Sequence, residues 1–283
     1  MPGANTRAID KARTLPVDGI IIDFEDAVAP DAKAQARGKA VEAVRAGGFG
    51  HREVIIRING LDTEWAMDDL NAAISAAPDG ILIPKVATPD VLNGVGARLL
   101  DTHADHRIRI WAMLETPRAV LHAAEIAAAS RDGETRLEGF VIGTNDLVKE
   151  SRGRIVPGRA PLVPWLMTCV AAARAYGLTI LDGVFNDLQN AEGLAAECRQ
   201  GRDMGFDGKT LVHPNQIAVC NGVFSPDEAE IAEARKTIAA FELPENKGRG
   251  VVAIEGRMVE RMHADMARRT VALADTIAAQ ENA

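Results

Sequence analysis

The sequence predicts an α/β protein, a (β/α)8 TIM barrel whose first strand is missing or truncated. Seven short runs of β-branched and aliphatic residues recur along the chain, separated by alanine-rich stretches with helical patterning. The runs are continuously apolar, as is typical of strands buried on both faces of a parallel sheet. Regular alternation of strand and helix indicates βαβ units. The runs are residues 19–23, 53–57, 80–85, 109–115, 139–146, 178–182 and 209–213.

The helical stretches between these runs begin and end as helices should. Several start with a proline or an acidic residue, and Gly47 and Gly177 follow two of them, so the expected helix start and stop signals are present. The predicted helices cover residues 6–14, 31–45, 88–100, 118–129 and 164–176.

The number of strands is one short of a closed barrel, which needs eight. The chain opens with Met-Pro-Gly-Ala-Asn, which predicts a loop leading into the first helix, so the missing strand should be the first. We therefore expect the true start to lie upstream. An open doubly wound sheet is the alternative, but no glycine-rich dinucleotide fingerprint follows any of the runs, which disfavours it.

The last part of the chain departs from the strand–helix pattern. We predict a catalytic barrel over residues 1–223 and a C-terminal extension over residues 224–283. In the extension a helix ends near Phe241, a flexible loop covers residues 243–250, residues 251–260 form a short extended segment, and a last helix follows. This is more chain than a closing helix needs, so we interpret it as a lid or an oligomerisation arm.

Composition excludes several classes of function. The formal charge is −8 and aromatic residues make up 4%, which argues against a nucleic-acid partner. No apolar run reaches the ~18 residues of a membrane helix, and the first residues do not resemble a signal peptide. The cysteines, Cys169, Cys198 and Cys220, form no CxxC pair, so a thiolate zinc site is not expected. The same cysteine pattern favours a reducing, cytoplasmic location.

Nearly every predicted strand ends on an ionisable residue. Because the C-terminal ends of barrel strands converge on one face, these side chains predict a polar pocket rich in carboxylates. The strand-end residues are Asp23, Arg57, Lys85, Glu115, Asp182 and His213, and the remaining run ends at Asn145 and Asp146.

Glu115 and Asp146 are the best candidates for metal ligands. They follow adjacent predicted strands, and carboxylates without nearby histidine or cysteine favour Mg²⁺ or Mn²⁺. The alternative is that they hydrogen-bond to loops or pair with Arg118. A second acidic group in the segment DFEDAV, Asp23 with Glu25 and Asp26, would bind metal-bound water; alternatively it is a group of helix N-terminal acids.

The cationic strand-end residues also have two interpretations each. Arg57 would neutralise a carboxylate or an oxyanion of a ligand, or it would pair with one of the acids. Lys85 would form a Schiff base, or, as is favoured among so many carboxylates, it would pair with an acid. His213 would act as a base or, as we prefer, have a structural role in the turn before Pro214.

Seven segments, in register with successive strand ends, carry a family likeness. They are PGANTR, DFEDAV, RINGLDT, IPKV, LETPRAV, GTNDL and GKTLVHPNQI. Together they resemble the citrate lyase β-subunit-like proteins of the HpcH/HpaI aldolase superfamily, which includes malyl-CoA and citramalyl-CoA lyases. The resemblance implies a (β/α)8 barrel, a homo-oligomer (trimer or hexamer) whose C-terminal extension reaches a neighbouring subunit, and Mg²⁺-dependent cleavage or formation of a C–C bond in a CoA thioester.

The same resemblance implies roles for individual residues. Glu115 and Asp146 correspond to the metal ligands, and Arg57 to the group that binds the substrate, with Lys85 beside it. Glu260 stands in the segment GRMVE, where the family often has an aspartate that acts in the neighbouring subunit. The proton would move through Glu260 or, by way of water, through Glu25.

The resemblance also limits the expected partners. The products would be an acyl-CoA and a 2-oxo acid: glyoxylate, pyruvate or oxaloacetate. Alternatives left open are the β subunit of an acyl-carrier-dependent citrate lyase complex, a malyl-CoA thioesterase, a Schiff-base aldolase and a degenerate barrel without activity.

Overall fold

The computed structural model describes residues 1–281, which divide into two compact units, Met1–Cys220 and the segment from Asn221 onward. The first unit is an α/β fold, as predicted, and it contains a sheet of seven parallel strands that pair in the order of the sequence. The strands are β1 (Gly19–Asp23), β2 (Glu53–Arg57), β3 (Gly80–Ile83), β4 (Arg109–Leu114), β5 (Leu137–Ile142), β6 (Thr179–Asp182) and β7 (Gly208–Lys209).

Helices follow the strands along the chain. Proline at the start of α4 and α5 and the Thr116 side chain, which accepts a hydrogen bond from Ala119 N, begin helices where the sequence predicts them. The helices are α1 (Thr6–Ala12), α2 (Lys33–Ala46), α3 (Ala66–Ala76), α4 (Pro89–Asp101), α5 (Pro117–Leu121), α6 (Ala123–Ala128), α7 (Thr144–Ser151), α8 (Val163–Tyr176), α9 (Ala191–Met204), α10 (Ile217–Phe224), α11 (Glu228–Glu242) and α12 (Arg261–Glu281).

Four predicted elements of the first unit differ in the structure. The predicted helix 118–129 is divided at His122 into α5 and α6. The run 139–146 is divided at Gly143, because β5 ends at Ile142 and helix α7 begins with Thr144. The run 209–213 pairs with β6 only through β7, so His213 is outside the sheet. The opening residues, predicted as a loop, are hydrogen-bonded to β1: Pro2 forms a parallel bridge with Asp23, and Gly3 N donates to Asp23 O at 2.8 Å.

The interior of the curled sheet is filled by side chains from successive strands. Ile55, Leu82, Trp111, Met113 and Val141 form one buried cluster. The indole of Trp111 fits because its neighbours on β3 and β5 are glycines, and a Cβ at position 139 would lie 2.7 Å from the ring. Each buried aliphatic side chain contributes roughly 1.5–3 kcal/mol. The cluster fixes the strands, and their polar carboxyl ends lie beyond it.

The unit from Asn221 onward is helical with a small hairpin. Helices α11 and α12 pack with strands β8 (Val251–Ile254) and β9 (Arg257–Glu260) around Phe241, Val252 and Ile254. The sequence predicts one extended segment here, but the structure has an antiparallel hairpin. Its turn residues, Glu255 and Gly256, both have positive φ, as a type I′ turn requires. In residues 1–281 no helix has both the length and the apolarity needed to cross a membrane.

Candidate active site at the carboxyl ends of strands β1 to β5

Arg57, the last residue of β2, is held by Asp23 at the end of the neighbouring strand. Its Nε and Nη2 donate to the two carboxylate oxygens of Asp23 at 2.7 and 2.6 Å. This is the two-point geometry that a guanidinium and a carboxylate favour. The Asp23 carboxylate also accepts hydrogen bonds from the N–H groups of Glu25 and Ala27. Burial disfavours the Asp23 carboxylate, but Arg57 and these N–H groups outweigh that effect and lower its pKa.

Glu25 lies on the third nitrogen of the same guanidinium. Its Oε2 is 3.0 Å from Arg57 Nη1, and its Oε1 is 3.7 Å from Lys85 Nζ. Burial nevertheless raises the pKa of Glu25 to about 7, because the two cations are shared with Asp23 and Asp26. A carboxyl group with such a pKa exchanges protons readily near neutral pH.

Lys85 follows β3 in a left-handed backbone conformation, with φ of 54°. Its side chain is 45% exposed. Burial alone would lower its pKa, but the charges of Glu25, Glu115 and Asp146 outweigh burial and raise it. A lysine that forms a Schiff base needs a neutral amine at working pH. The electrostatics therefore favour a charged, pairing lysine over the Schiff-base interpretation.

Glu115 follows β4 and is almost fully buried, at 2% exposure. Its Oε1 accepts a hydrogen bond from Lys85 N at 2.8 Å. Burial, followed by the charge of Glu25, raises the pKa of Glu115 to about 8, and Asp146 adds to the effect. The other oxygen, Oε2, lies against the backbone of Gly143, where a Cβ would overlap it. A glycine in the segment GTND is thus needed for Glu115 to occupy this place.

Asp146 lies in the first turn of α7, directly after β5. Its side chain is 29% exposed, and its Oδ1 is 4.0 Å from Lys149 Nζ. A carboxylate at a helix N-terminus is stabilised by the helix dipole. Glu115 and Asp146 therefore follow neighbouring parallel strands, as the sequence predicts, and the charge of Asp146 contributes to the raised pKa of Glu115.

We call this group of side chains the open cluster; it contains Asp23, Glu25, Arg57, Lys85, Glu115 and Asp146. Its four carboxylates outnumber the cations, even when Lys149, 4.0 Å from Asp146, is counted with Arg57 and Lys85. Oxygen ligands of this kind suit Mg²⁺ or Mn²⁺. Among residues 1–281 no group of three or more histidine, cysteine, aspartate or glutamate side chains is arranged to hold a metal ion. A metal at Glu115 and Asp146 would thus take its other ligands from water or substrate, as in open catalytic sites.

A second charged cluster lies at the ends of β6 and β7. We call it the closed cluster; it contains Arg159, Asp182, Glu197 and Lys209. Arg159 Nη1 is 2.7 Å from Asp182 Oδ1, and Lys209 Nζ donates to Asp182, Glu197 and the carbonyl of Gly183. Two carboxylates here meet two cations, so the strand-end residue Asp182 is part of a balanced ion-pair network.

The other two predicted residues lie elsewhere. His213 precedes a short 3-10 turn (Pro214–Gln216), and its Nδ1 accepts a hydrogen bond from Asn215 N at 3.2 Å, which favours the structural interpretation. Glu260 ends strand β9 in the second unit, is exposed, and its N–H donates to His263 Nδ1 at 2.9 Å.

Sequence reasoning missed a buried group behind Glu25. Lys33 lies on the buried face of α2 with Ala36 and Ala40, and it contacts the turn that carries Glu25. A lysine at apolar helical spacing was the signal that could have found it.

Comparison with known proteins identifies the family. The model of the HpcH/HpaI aldolase/citrate lyase family matches residues 1–214. A (3S)-malyl-CoA thioesterase of Cereibacter sphaeroides is 50% identical over 279 residues, covering 99% of this chain and 94% of the relative. A citrate lyase subunit beta of Leuconostoc mesenteroides is 33% identical, covering 97% and 91%.

A solved structure agrees with this. The protein CitE from Mycobacterium tuberculosis, in complex with magnesium, acetoacetate and coenzyme A, has a TM-score of 0.78 and 28% identity, covering 97% of this chain and 96% of that one. From its motifs, its parallel sheet and these relatives, the chain belongs to the HpcH/HpaI aldolase/citrate lyase family, whose members are enzymes.

Proposed function

We propose that this chain is a Mg²⁺-dependent enzyme that cleaves a 3-hydroxyacyl-CoA of the malyl-CoA type at the open cluster. The observation that carries the proposal is the excess of carboxylates over cations there, with Glu115 buried beside Asp146. The relative that is 50% identical and named a malyl-CoA thioesterase supports malyl-CoA as the substrate, and hydrolysis of its thioester as the first reaction to test.

Glu115 and Asp146 would hold the metal ion. When bound, Mg²⁺ supplies electrophilic polarisation of the hydroxyl and carboxylate oxygens of the substrate, and Mn²⁺ would serve as well. The fit rests on hard oxygen donors in a cluster where carboxylates outnumber cations. Gly143 leaves the room that Glu115 needs.

Arg57 would bind the anionic part of the substrate. Asp23 holds two of its nitrogens, which fixes the plane of the guanidinium and leaves Nη1 as the group directed at Glu25. A substrate carboxylate or a developing oxyanion would take the place of the Glu25 oxygen on Nη1. Lys85, charged and half-exposed, would add a second cationic contact.

Glu25 would move the proton. With a pKa of about 7 it can accept a proton and return it, through one water molecule, near neutral pH. Glu260 is the other candidate, acting in the site of a neighbouring copy, since the resemblance implies an acid at this position. Glutamate there is one methylene longer than the usual aspartate.

Two reactions can start from the same bound substrate. In hydrolysis a water oxygen attacks the thioester carbonyl, the C–S bond breaks, and the CoA thiolate takes a proton, which yields malate. In the lyase reaction the hydroxyl loses its proton and the C2–C3 bond breaks. The electron pair then forms an enolate of the thioester, and reprotonation yields acetyl-CoA and glyoxylate. Citramalyl-CoA would give pyruvate, and citryl-CoA would give oxaloacetate.

The lyase reaction is the second candidate, favoured by the citrate lyase subunits among the relatives. The experiment is to incubate the purified chain and Mg²⁺ with malyl-CoA, citramalyl-CoA and citryl-CoA, and to identify the products by mass spectrometry. We expect Mg²⁺-dependent release of free CoA from malyl-CoA. An enzyme that is inactive on every free CoA ester, yet active on an acyl-carrier-bound substrate, would instead be the citrate lyase β subunit.

The assembly is part of the proposal. The seven strands would belong to a (β/α)8 barrel, with the bridge at Pro2 on the side of the remaining strand. Copies of the chain would form a trimer or hexamer in which the C-terminal unit serves the neighbouring copy. Light scattering on the purified protein measures that mass, and a monomer would contradict the oligomer.

A further inference from the structure

A buried ammonium lies directly behind the turn that carries Glu25. Lys33, in the first turn of α2, is 5% exposed. Its Nζ donates to the carbonyls of Phe24 and Glu25 at 2.9 and 3.1 Å and to Asn59 Oδ1 at 2.7 Å. The ring of Trp65 lies 4.7 Å from the same nitrogen. All three ammonium hydrogens therefore have acceptors, two of them on the backbone at the end of β1.

The side chain of Asn59 links the Lys33 ammonium to a buried carboxylate. The Asn59 amide donates to Asp69 Oδ2 and to the carbonyl of Phe24, and Asn59 N donates to Asp69 as well. Asp69 is fully buried and pairs with Arg37 at 2.9 Å. Asn59 thus connects a buried cation to a buried anion, which is the condition under which buried charges are tolerated.

The backbone of Glu25 is held from both sides by this arrangement. Its N–H donates to Asp23 Oδ1 at 2.9 Å, and its C=O accepts from Lys33. Only side-chain rotation remains free, and the carboxylate then lies between Arg57 and Lys85. Groups that take part in proton transfer must be placed to within about an ångström, and they depend on neighbours for that placement.

We propose that Lys33, together with Asn59 and Asp69, is a positioning device that sets the place of Glu25 in the open cluster. It is neither a ligand nor a catalytic group, because it contacts the turn rather than the pocket. The expected effect of Lys33 on the reaction rate rests on the proposed function. Its expected effect on the position of Glu25 does not.

The test compares two buried lysines. Lys33→Met keeps an unbranched apolar chain and removes the ammonium. Lys209→Met makes the same change in the closed cluster, where Lys209 also has three acceptors. Both variants should lower Tm by similar amounts. At a temperature where both are folded, Lys33→Met should lower kcat about 10–100-fold with KM within about twofold, while Lys209→Met keeps kcat within about twofold.

A crystal structure of Lys33→Met gives a second readout that needs no activity. We expect the turn at residues 24–25 to shift and the Glu25–Arg57 contact of 3.0 Å to lengthen. An unchanged Glu25 position, or equal losses of kcat in the two lysine variants, overturns the proposal. A wild-type enzyme without turnover contradicts the proposed function instead, and leaves the crystallographic test in force.

A milder variant covers the case in which Lys33→Met does not fold. Asp69→Asn keeps the volume of the side chain and weakens the link through Asn59, so kcat should fall several-fold with KM unchanged. If Asp69→Asn also fails to fold while Lys209→Met folds, the group serves stability and the proposal is wrong.

Discussion

Two charged clusters lie at the carboxyl ends of the same parallel sheet, and they differ in charge balance. In the closed cluster Lys209 has three acceptors and Asp182 faces both cations, so the charges cancel. In the open cluster four carboxylates share Arg57 and Lys85, and burial raises the pKa of Glu25 to about 7 and that of Glu115 to about 8. The comparison teaches that charge at a strand end does not by itself mark a site, whereas unbalanced buried charge does.

The largest expected effect is loss of the metal. Asp146→Ala removes a carboxylate that stands where Mg²⁺ would bind. We expect the activation free energy to rise by at least about 4 kcal/mol, which lowers turnover about 10³-fold. Calorimetric titration should show no Mg²⁺ binding in the variant. Glu197→Gln in the closed cluster is the control, and it should keep the Mg²⁺ affinity of the wild type. Unchanged turnover by Asp146→Ala would refute its role as a ligand.

The next effect compares the two arginines. Arg57→Ala leaves the buried carboxylate of Asp23 without its cationic partner, which should cost about 3–5 kcal/mol of unfolding free energy. Arg159→Ala should cost less, because Lys209 still pairs with Asp182 at 3.1 Å. Only Arg57→Ala should also cost about 2.7–4 kcal/mol in kcat/KM. Denaturant melts and kinetics at one temperature measure both quantities. A change in KM alone would reduce Arg57 to a group that binds substrate and transition state equally.

A smaller effect depends on pH. Glu25 has a raised folded-state pKa, so the folded protein holds a proton that the unfolded chain releases, and metal-free stability falls as pH rises from about 4.5 to 7. Glu25→Gln should remove that loss, of the order of 3 kcal/mol, so its Tm advantage over the wild type should grow between pH 5 and pH 8.

Glu197→Gln is the matched control for this pH effect. Lys209 loses a charged partner at 2.7 Å in that variant, so it should be less stable than the wild type at pH 8. Stabilisation by both glutamine variants would contradict the difference between the two clusters.

The smallest effect tests whether proton transfer in the open cluster needs Glu260 in addition to Glu25. Glu260→Asp introduces the residue that the resemblance implies here, and activity should stay within about tenfold of the wild type because a carboxylate is retained. Glu260→Ala should lower kcat further. Equal rates for the alanine variant and the wild type would assign proton transfer to Glu25 alone.

The sequence predicted most of the first unit because its signals are local. Continuous apolar runs gave strands β1 and β2 at the bounds that the structure has, and the proline and glycine signals gave most helix ends. It overestimated the last strand, because residues 210–213 are apolar enough for a strand but turn away to form hydrogen bonds around Gln216. It missed the hairpin, whose signal was the Glu255-Gly256 turn between two alternating segments.

The sequence named most residues of the candidate site, but it did not show which of their charges are neutralised. Strand ends named Asp23, Arg57, Lys85 and Glu115, and the structure brings these together. Which strand-end residues are neutralised depends on contacts between distant segments, such as Asp182 with Arg159 from the 3-10 turn Pro157–Arg159, and no local pattern reveals these contacts. The same reason hid Lys33, whose partners lie up to 26 residues away.

If the open cluster cleaves a malyl-CoA-type thioester, the reaction should depend on Glu115. The most direct test measures release of free CoA from malyl-CoA, with Mg²⁺ and with EDTA, for the wild type, Glu115→Gln and Glu197→Gln. We predict Mg²⁺-dependent release by the wild type and Glu197→Gln, and none above background by Glu115→Gln. Equal release by Glu115→Gln and the wild type would show that the reaction does not need the Glu115 carboxylate.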